Sequence, residues 1–142
     1  MASIYSEADI ERIARCLINR SLPKPEWTHK AHFAVALWLL RHHGLQAMSE
    51  MPGLIRAYNE ATGVPNSDTS GYHETITLAS LRAGHAWLAE RPHAPLHVSL
   101  RELLEGPYGR SDWPLTYWSR ERLFSIAARR GWVDPDLQPL PF

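Results

Sequence analysis

The chain has 142 residues, enough for one domain whose hydrophobic core needs neither a disulfide nor a metal for stability. Fifteen basic residues balance fifteen acidic ones, so the chain lacks the positive charge that would attract nucleic acid or an anionic membrane surface. It has one cysteine and begins with acidic residues where a signal peptide would be basic, so we expect a cytoplasmic location.

Helical periodicity and helix-end signals run through most of the sequence. Apolar residues recur three and four positions apart, and serine, threonine, proline or glycine stands where the periodic segments begin or end. A kink or a short break is expected inside the third helix, at Pro52-Gly53. No segment has the alternating pattern of a strand. The predicted helices lie over about residues 7–20, 28–44, 45–62, 72–91, 96–105 and 116–131.

Two segments are predicted to lack helix. Residues 63–71, GVPNSDTSG, are dense in turn-forming residues and have no apolar periodicity, so we expect a loop. Residues 132–142, WVDPDLQPLPF, contain three prolines and are expected to run extended across the bundle. The predicted fold class is therefore all-α, a single-domain bundle of five or six helices with an extended, proline-rich C-terminal tail.

The second and fourth helices are expected to bring histidines together at one end of the bundle. Helices joined by short loops pack antiparallel, so the second and fourth run in the same direction and share an end. His29, His32 and His73 all fall in first turns at that end. Burial and the helix N-terminus both disfavour imidazolium, so these rings should be neutral, as a metal ligand or general base must be.

The leading hypothesis is a metal centre in a small enzyme. His29 and His32 lie on one helix face, His73 converges on them, and Glu26 or Glu74 could complete the ligand set with one position open for water. The expected cofactor is a divalent transition metal: zinc, iron, copper, manganese or nickel. The metal would activate water or polarise a small polar substrate.

Two alternatives use the same pocket. In a metal-free enzyme, a neutral histidine is the general base, Glu74 or Glu26 orients it, and Tyr72 or Tyr58 donates a proton. In a non-catalytic module, the histidines only hydrogen-bond the loop backbone and the pocket binds a small molecule without chemistry. Replacing His73 would then change stability but no turnover.

The remaining site predictions concern substrate contacts. Loop 63–71 would roof the pocket, and the tryptophan-rich surface could form a homodimer interface. Four arginines near the C-terminus, Arg120, Arg122, Arg129 and Arg130, are interpreted as a solvated face, although they could hold a phosphate or carboxylate of the substrate. The predicted substrate-binding residues are Trp27, Asn59, Asn66, Thr69 and Ser70, and the predicted catalytic residues are Glu74, Tyr72 and Tyr58.

Three blocks of the sequence are distinctive together. They read EWTHKAH from residue 26, AYNEATGVPNSDTSGYHETIT from residue 57 and YWSRERLFSIAARRGWVDPDLQPLP from residue 117. The blocks resemble a family of small bacterial helical proteins of unassigned function, over about residues 26–141. That resemblance implies one self-contained domain and adds no catalytic residue. In architecture alone, the chain is also similar to small metal-binding helical bundles of the DinB type, which place two ligands at i, i+4 late in the chain.

Overall fold

Helices and the loops between them make up residues 5–142, the part of the chain that this computed structural model describes. These residues contain no strand, so the predicted all-α bundle is confirmed. None of the described helices has both the length and the apolar character that a membrane crossing requires. The helices are α1 (Glu7–Ile18), α2 (His29–His43), α3 (Ala47–Ala61), α4 (Glu74–Ala89), α5 (Leu96–Glu105), α6 (Arg120–Leu123) and α7 (Ile126–Arg130), with 3₁₀ turns at Lys24–Glu26, Gly44–Gln46, Pro107–Gly109 and Trp113–Thr116.

α2 is the central helix because apolar residues cover nearly its whole circumference. Ala31 and every residue from Phe33 to Leu40 are buried. Thr28 begins the helix, since its hydroxyl accepts the Ala31 N–H at 3.2 Å, and Gly44, with φ of +60°, ends it. A helix that is apolar on all sides has to be surrounded by others. Here α1, α3, α4 and α5 all pack against it.

α3 continues through Pro52, so of the predicted kink or short break at Pro52-Gly53, the break is wrong and the kink stays a prediction. A proline inside a helix removes only the hydrogen bond of its own nitrogen, at some cost from its ring. Met51, Pro52 and Ile55 are all buried in the core, and this burial offsets the loss. α3 also begins two residues later than predicted, because residues 44–46 form a 3₁₀ turn.

The predicted sixth helix is divided into α6 and α7. Ser125 caps α7: its hydroxyl accepts the Ala128 N–H at 3.1 Å, a donor that a continuous helix would use in its own ladder. Phe124 and Ile126, on either side of this cap, are 55% and 50% exposed. A continuous helix would gain little from the burial of these two side chains, so the serine cap is favoured.

The C-terminal tail is extended, as predicted, and is held by hydrogen bonds to the body of the domain. The Trp118 indole N–H donates to the Val133 carbonyl at 2.9 Å, and the Asp136 carboxylate accepts the Ser119 hydroxyl at 2.6 Å. Near the amino-terminal end of α4, the buried Thr75 hydroxyl donates to the Gly131 carbonyl at 2.8 Å. The tail therefore reaches the same end of the bundle as loop 63–71.

α2 and α4 run in the same direction, and contacts at both ends show it. Beside their carboxyl ends, Arg41 of α2 donates to the Ala94 carbonyl, just beyond α4, at 3.2 Å. Beside their amino ends, Trp27 packs edge-on against Tyr58 of α3, with ring centroids 5.7 Å apart. The next α3 residue, Asn59, bonds to the loop that leads into α4.

Candidate functional site

Asn66 fixes the base of loop 63–71. Its side-chain oxygen accepts the Asn59 amide and the Tyr72 backbone N–H, both at 3.0 Å, and its own amide donates to the Arg56 carbonyl at 3.1 Å. Gly71 closes the loop with φ of +80°, so close to Pro65 that a Cβ would lie 2.5 Å from its carbonyl oxygen. These amides hold the loop in place. The predicted substrate contacts of Asn59 and Asn66 stay predictions.

His73 caps α4 instead of lying inside its first turn. Its Nδ1 accepts the Ile76 N–H at 3.1 Å, and its Nε2 donates to the Leu123 carbonyl of α6 at 2.7 Å. Burial lowers the pKa of this imidazole, as does the charge of Arg129, although the bond to Leu123 opposes them. The ring is neutral as predicted from its position, but both nitrogens are engaged, so a metal could bind only by displacing one of these bonds.

His29 and His32 lie at the other helix start, that of α2. His29 Nε2 donates to the Tyr108 carbonyl at 2.7 Å. His32 is largely buried, packs against Trp27 with ring centroids 5.5 Å apart, and makes no hydrogen bond within residues 5–142. Burial, with a smaller contribution from His29, lowers the pKa of His32 to about 4. His32 is therefore neutral at physiological pH.

Residues 5–142 contain no group of three or more His, Cys, Asp or Glu side chains arranged to hold a metal ion. Glu26, a predicted ligand, forms an exposed ion pair with Arg12 at 2.9 Å. His73 bonds to α6, whereas His29 bonds to Tyr108 in the 3₁₀ turn that follows α5. The predicted ligands are thus divided among different partners, and the metal site stays a prediction.

Two of the predicted catalytic residues are hydrogen-bonded to each other. The Tyr72 hydroxyl donates to the Glu74 carboxylate. Burial, this bond and the charge of Glu74 raise the pKa of Tyr72, so the phenol keeps its proton near neutral pH. The third, Tyr58, donates to the Leu22 carbonyl at 2.9 Å, and burial followed by the charge of Glu26 raises its pKa as well.

A cleft opens beneath loop 63–71, beside Tyr72. Its volume is about 250 Å³, and it is open to solvent. We call it the arginine cleft because it is lined by one arginine of α3 and two consecutive arginines of α7, with a single carboxylate. Its lining residues are Arg56, Asn66, Ser67, Asp68, Tyr72, Arg129 and Arg130.

The three arginines are held in different ways. Arg56 lies over the Tyr72 ring, with its guanidinium carbon 4.3 Å from the ring centroid. Arg129 donates from Nη1 to the Gly71 carbonyl at 2.9 Å, which holds its guanidinium beside the loop. Neither forms an ion pair with any carboxylate of residues 5–142, whereas Arg130 is paired with Asp68.

The tip of the loop lies at the rim of this cleft. Ser67 donates its backbone N–H to the Ser70 carbonyl at 2.9 Å and accepts the Thr69 N–H at its hydroxyl at 3.3 Å. The predicted substrate contacts of Thr69 and Ser70 stay predictions. Of the predicted site residues, Asn66 and Tyr72 line the arginine cleft, whereas Trp27 lies against His32 and Tyr58 at the start of α2.

Arg56 was not predicted to belong to a site, and Arg129 and Arg130 were interpreted as solvated. A weak signal was available, because Arg56 lies seven residues before loop 63–71 and an arginine pair ends α7. Comparison with known proteins adds no assignment: the chain matches no protein-family model, no curated protein and no solved structure. The resemblance to a bacterial family stays a prediction, and function has to be inferred from the geometry of the chain itself.

Proposed function

We propose that this protein binds a small anionic molecule in the arginine cleft. The observation that carries the proposal is the pair of guanidinium groups, Arg56 and Arg129, that line the cleft without a carboxylate partner in residues 5–142. Guanidinium presents planar, permanently charged donors that suit carboxylate and phosphate groups. The cleft therefore offers an anion both charge and hydrogen-bond donors.

The surroundings of the two arginines support binding over a merely solvated surface. Stacking on Tyr72 restrains Arg56, and the bonds to the loop carbonyls restrain Arg129, so less side-chain freedom is lost when a ligand binds. The Asn66 bonds fix the loop base, whose residues 66 and 71 bond to Arg56 and Arg129. A volume of about 250 Å³ suits a small metabolite.

Titration calorimetry and amide NMR at low ionic strength test this function, because salt screens exposed charges. Succinate and inorganic phosphate are the probes, with glycerol as a neutral comparison. At least one anion should bind the wild-type protein, and Arg56→Gln should weaken that binding about tenfold, the loss of one charge-assisted hydrogen bond.

Arg101→Gln is the matched control for Arg56→Gln. Arg101 is also an exposed helix arginine, but it lies in α5 and faces Glu105 at 3.9 Å. We expect its replacement to leave anion binding unchanged. Equal weakening by both substitutions would indicate unspecific charge attraction, and absence of binding by either anion would contradict the proposed function.

The metal-dependent enzyme predicted from sequence is a second candidate, and His32 is the observation that favours it. His32 is neutral at physiological pH and has no hydrogen-bond partner in residues 5–142, and His29 precedes it by one helical turn. Elemental mass spectrometry of untagged protein tests this candidate. Near-stoichiometric metal that is lost in His32→Ala would support it, whereas no metal after reconstitution with each candidate ion would exclude it.

A further inference from the structure

One ion pair attaches the tip of loop 63–71 to α7. Asp68 faces Arg130 with both carboxylate oxygens: Oδ1 accepts Arg130 Nε at 2.6 Å and Oδ2 accepts Nη2 at 2.8 Å. Two parallel bonds of this kind are the arrangement in which guanidinium best binds a planar carboxylate. A carboxylate from the chain itself thus occupies one of the three arginines of the cleft.

The base and the tip of the loop are attached differently. Asn66 and Gly71 fix the base through several bonds to α3, Tyr72 and Arg129. Among the side chains of residues 67–70, only that of Asp68 bonds to another element of the described chain. Both partners of this pair are exposed, Asp68 to 43% and Arg130 to 69%. Water competes for such a pair, so it is easily exchanged for another anion.

We propose that Asp68 stands in for the carboxylate of the ligand, and that the cleft takes a small dicarboxylate which binds by displacing Asp68 from Arg130. The inference rests on the proposed function and names its ligand class. One carboxylate of the ligand replaces Asp68 on Arg130, and the other pairs with Arg56 and Arg129. Release of Asp68 frees residues 67–70 to move away from α7, while Asn66 keeps the loop base in place.

The distribution of charge favours a dicarboxylate over a single phosphate. Arg130 already binds a planar carboxylate side-on, with the spacing of oxygens that a carboxylate ligand would reproduce. Arg56 and Arg129 line the same cleft and supply two further guanidinium groups that have no carboxylate partner in residues 5–142. A molecule with two anionic ends can pair one end with Arg130 and the other with these groups, whereas a single phosphate has only one anionic centre to offer.

Asp68→Asn tests the displacement because it removes the competing charge and keeps the size of the side chain. Succinate should bind this variant roughly fivefold more tightly than wild type, as expected when an exposed ion pair no longer holds the arginine. Asp112→Asn is the matched control, since Asp112 is 49% exposed and pairs with Arg110 at 3.2 Å outside the cleft. It should leave succinate binding unchanged.

Amide NMR separates displacement from a general gain in positive charge. If the ligand displaces Asp68, the amide resonances of residues 67–70 in ligand-free Asp68→Asn should lie near their positions in succinate-saturated wild type. Tighter binding without this match would overturn displacement. Unchanged or weaker succinate binding in Asp68→Asn would also overturn displacement; if Arg56→Gln weakens succinate binding about tenfold in the same experiments, the proposed function stands.

The ligand class has its own decisive outcomes. Tighter binding of inorganic phosphate than of succinate, in wild type and in Asp68→Asn alike, would overturn the dicarboxylate assignment and leave an anion site. If neither succinate nor phosphate binds wild type or Asp68→Asn, the proposed function and this inference are both overturned. These outcomes distinguish failure of the displacement of Asp68, failure of the dicarboxylate assignment and failure of the proposed function.

Discussion

The cap of α4 and the arginine cleft lie at the same end of the bundle, but their polar groups have opposite surroundings. At the cap, His73 is buried and both ring nitrogens have backbone partners. In the cleft, Arg56 is exposed and Arg129 partly so, and neither has a carboxylate partner within residues 5–142. A buried polar group needs its hydrogen bonds for stability, whereas an exposed charge is solvated by water and can be left without a protein partner.

This difference changes which residues are expected to act on a ligand. The sequence draws attention to histidines, because they are rare at helix starts and suit both metal binding and catalysis. The structure assigns a supporting role to His73, which joins α4 to α6. Under the proposed function, the groups that bind a ligand are the arginines of the cleft, which no sequence pattern assigned to a site. Substitutions at the cap of α4 should therefore mainly lower stability, and substitutions in the arginine cleft should mainly weaken anion binding.

His73→Ala should have the largest effect on stability. It removes the cap of α4 and leaves the Leu123 carbonyl without its donor, so we expect a loss of about 2–4 kcal/mol in the free energy of unfolding. His73→Asn can still cap the helix and should lose about half as much. Urea denaturation measures both. A loss below about 0.5 kcal/mol in His73→Ala, the usual range for surface positions, would show that the cap is not structural.

His32 should make the protein less stable in acid. In the unfolded chain histidine titrates near pH 6.5, and in the folded chain His32 titrates at about 4, so between these values the unfolded state binds more protons. Stability is full above pH 6.5 and is lost as the pH falls towards 4, by about 2–3 kcal/mol for this residue.

Urea denaturation at pH 7 and pH 4.5 measures this loss as a difference between variants. His32→Gln should have a smaller loss of stability between the two pH values than wild type. Thr116→Val, at an exposed position without a titratable group, is the control and should keep the wild-type pH dependence. Identical pH dependence in all three proteins would show that His32 is accessible to protons in the folded state.

Thr75→Val should have an intermediate effect, because it tests the attachment of the tail to the same end of α4. The buried Thr75 hydroxyl donates to the Gly131 carbonyl and accepts the Val133 N–H at 3.2 Å. Valine has nearly the same shape and neither bond, so we expect a loss of about 1–3 kcal/mol. Thr116→Val, at an exposed position, is the control. Equal stability of the two variants would mean that the two Thr75 bonds to the tail contribute nothing to stability.

The fold could be predicted from local signals, which this sequence carries clearly. Ser6, Thr28 and Gly44 stand at helix ends and act as caps in the structure. The apolar circumference of α2 predicted its central position, and the turn formers of residues 63–71 predicted the loop. The errors, at Pro52 and Ser125, lie where burial in the core or its absence decides between helix and break.

The candidate site could be predicted only in part. Asn66 and Tyr72 come from the loop whose position follows from the order of the helices. Arg129 and Arg130 reach the cleft because α7 packs against α4 after the break at Ser125, and no periodicity in the sequence encodes that contact. The histidine cap was missed for a different reason. Caps are expected to be serine, threonine, aspartate or asparagine, so a histidine in that position is assigned to chemistry first.

Arg56→Gln should have the smallest effect on stability, and it tests most directly whether the arginine cleft serves binding and not stability. Arg56 is exposed, and its side chain stacks on Tyr72 without forming a hydrogen bond or ion pair within residues 5–142, so its loss should cost at most about 1 kcal/mol. The same substitution should remove most of the anion binding. His73→Ala, measured where it is still folded, should do the reverse and bind anions with nearly the wild-type affinity. If instead Arg56→Gln destabilises the protein as much as His73→Ala does, the arginines of the cleft hold the loop in place as His73 holds α4, and the division between a supporting end and a binding cleft fails.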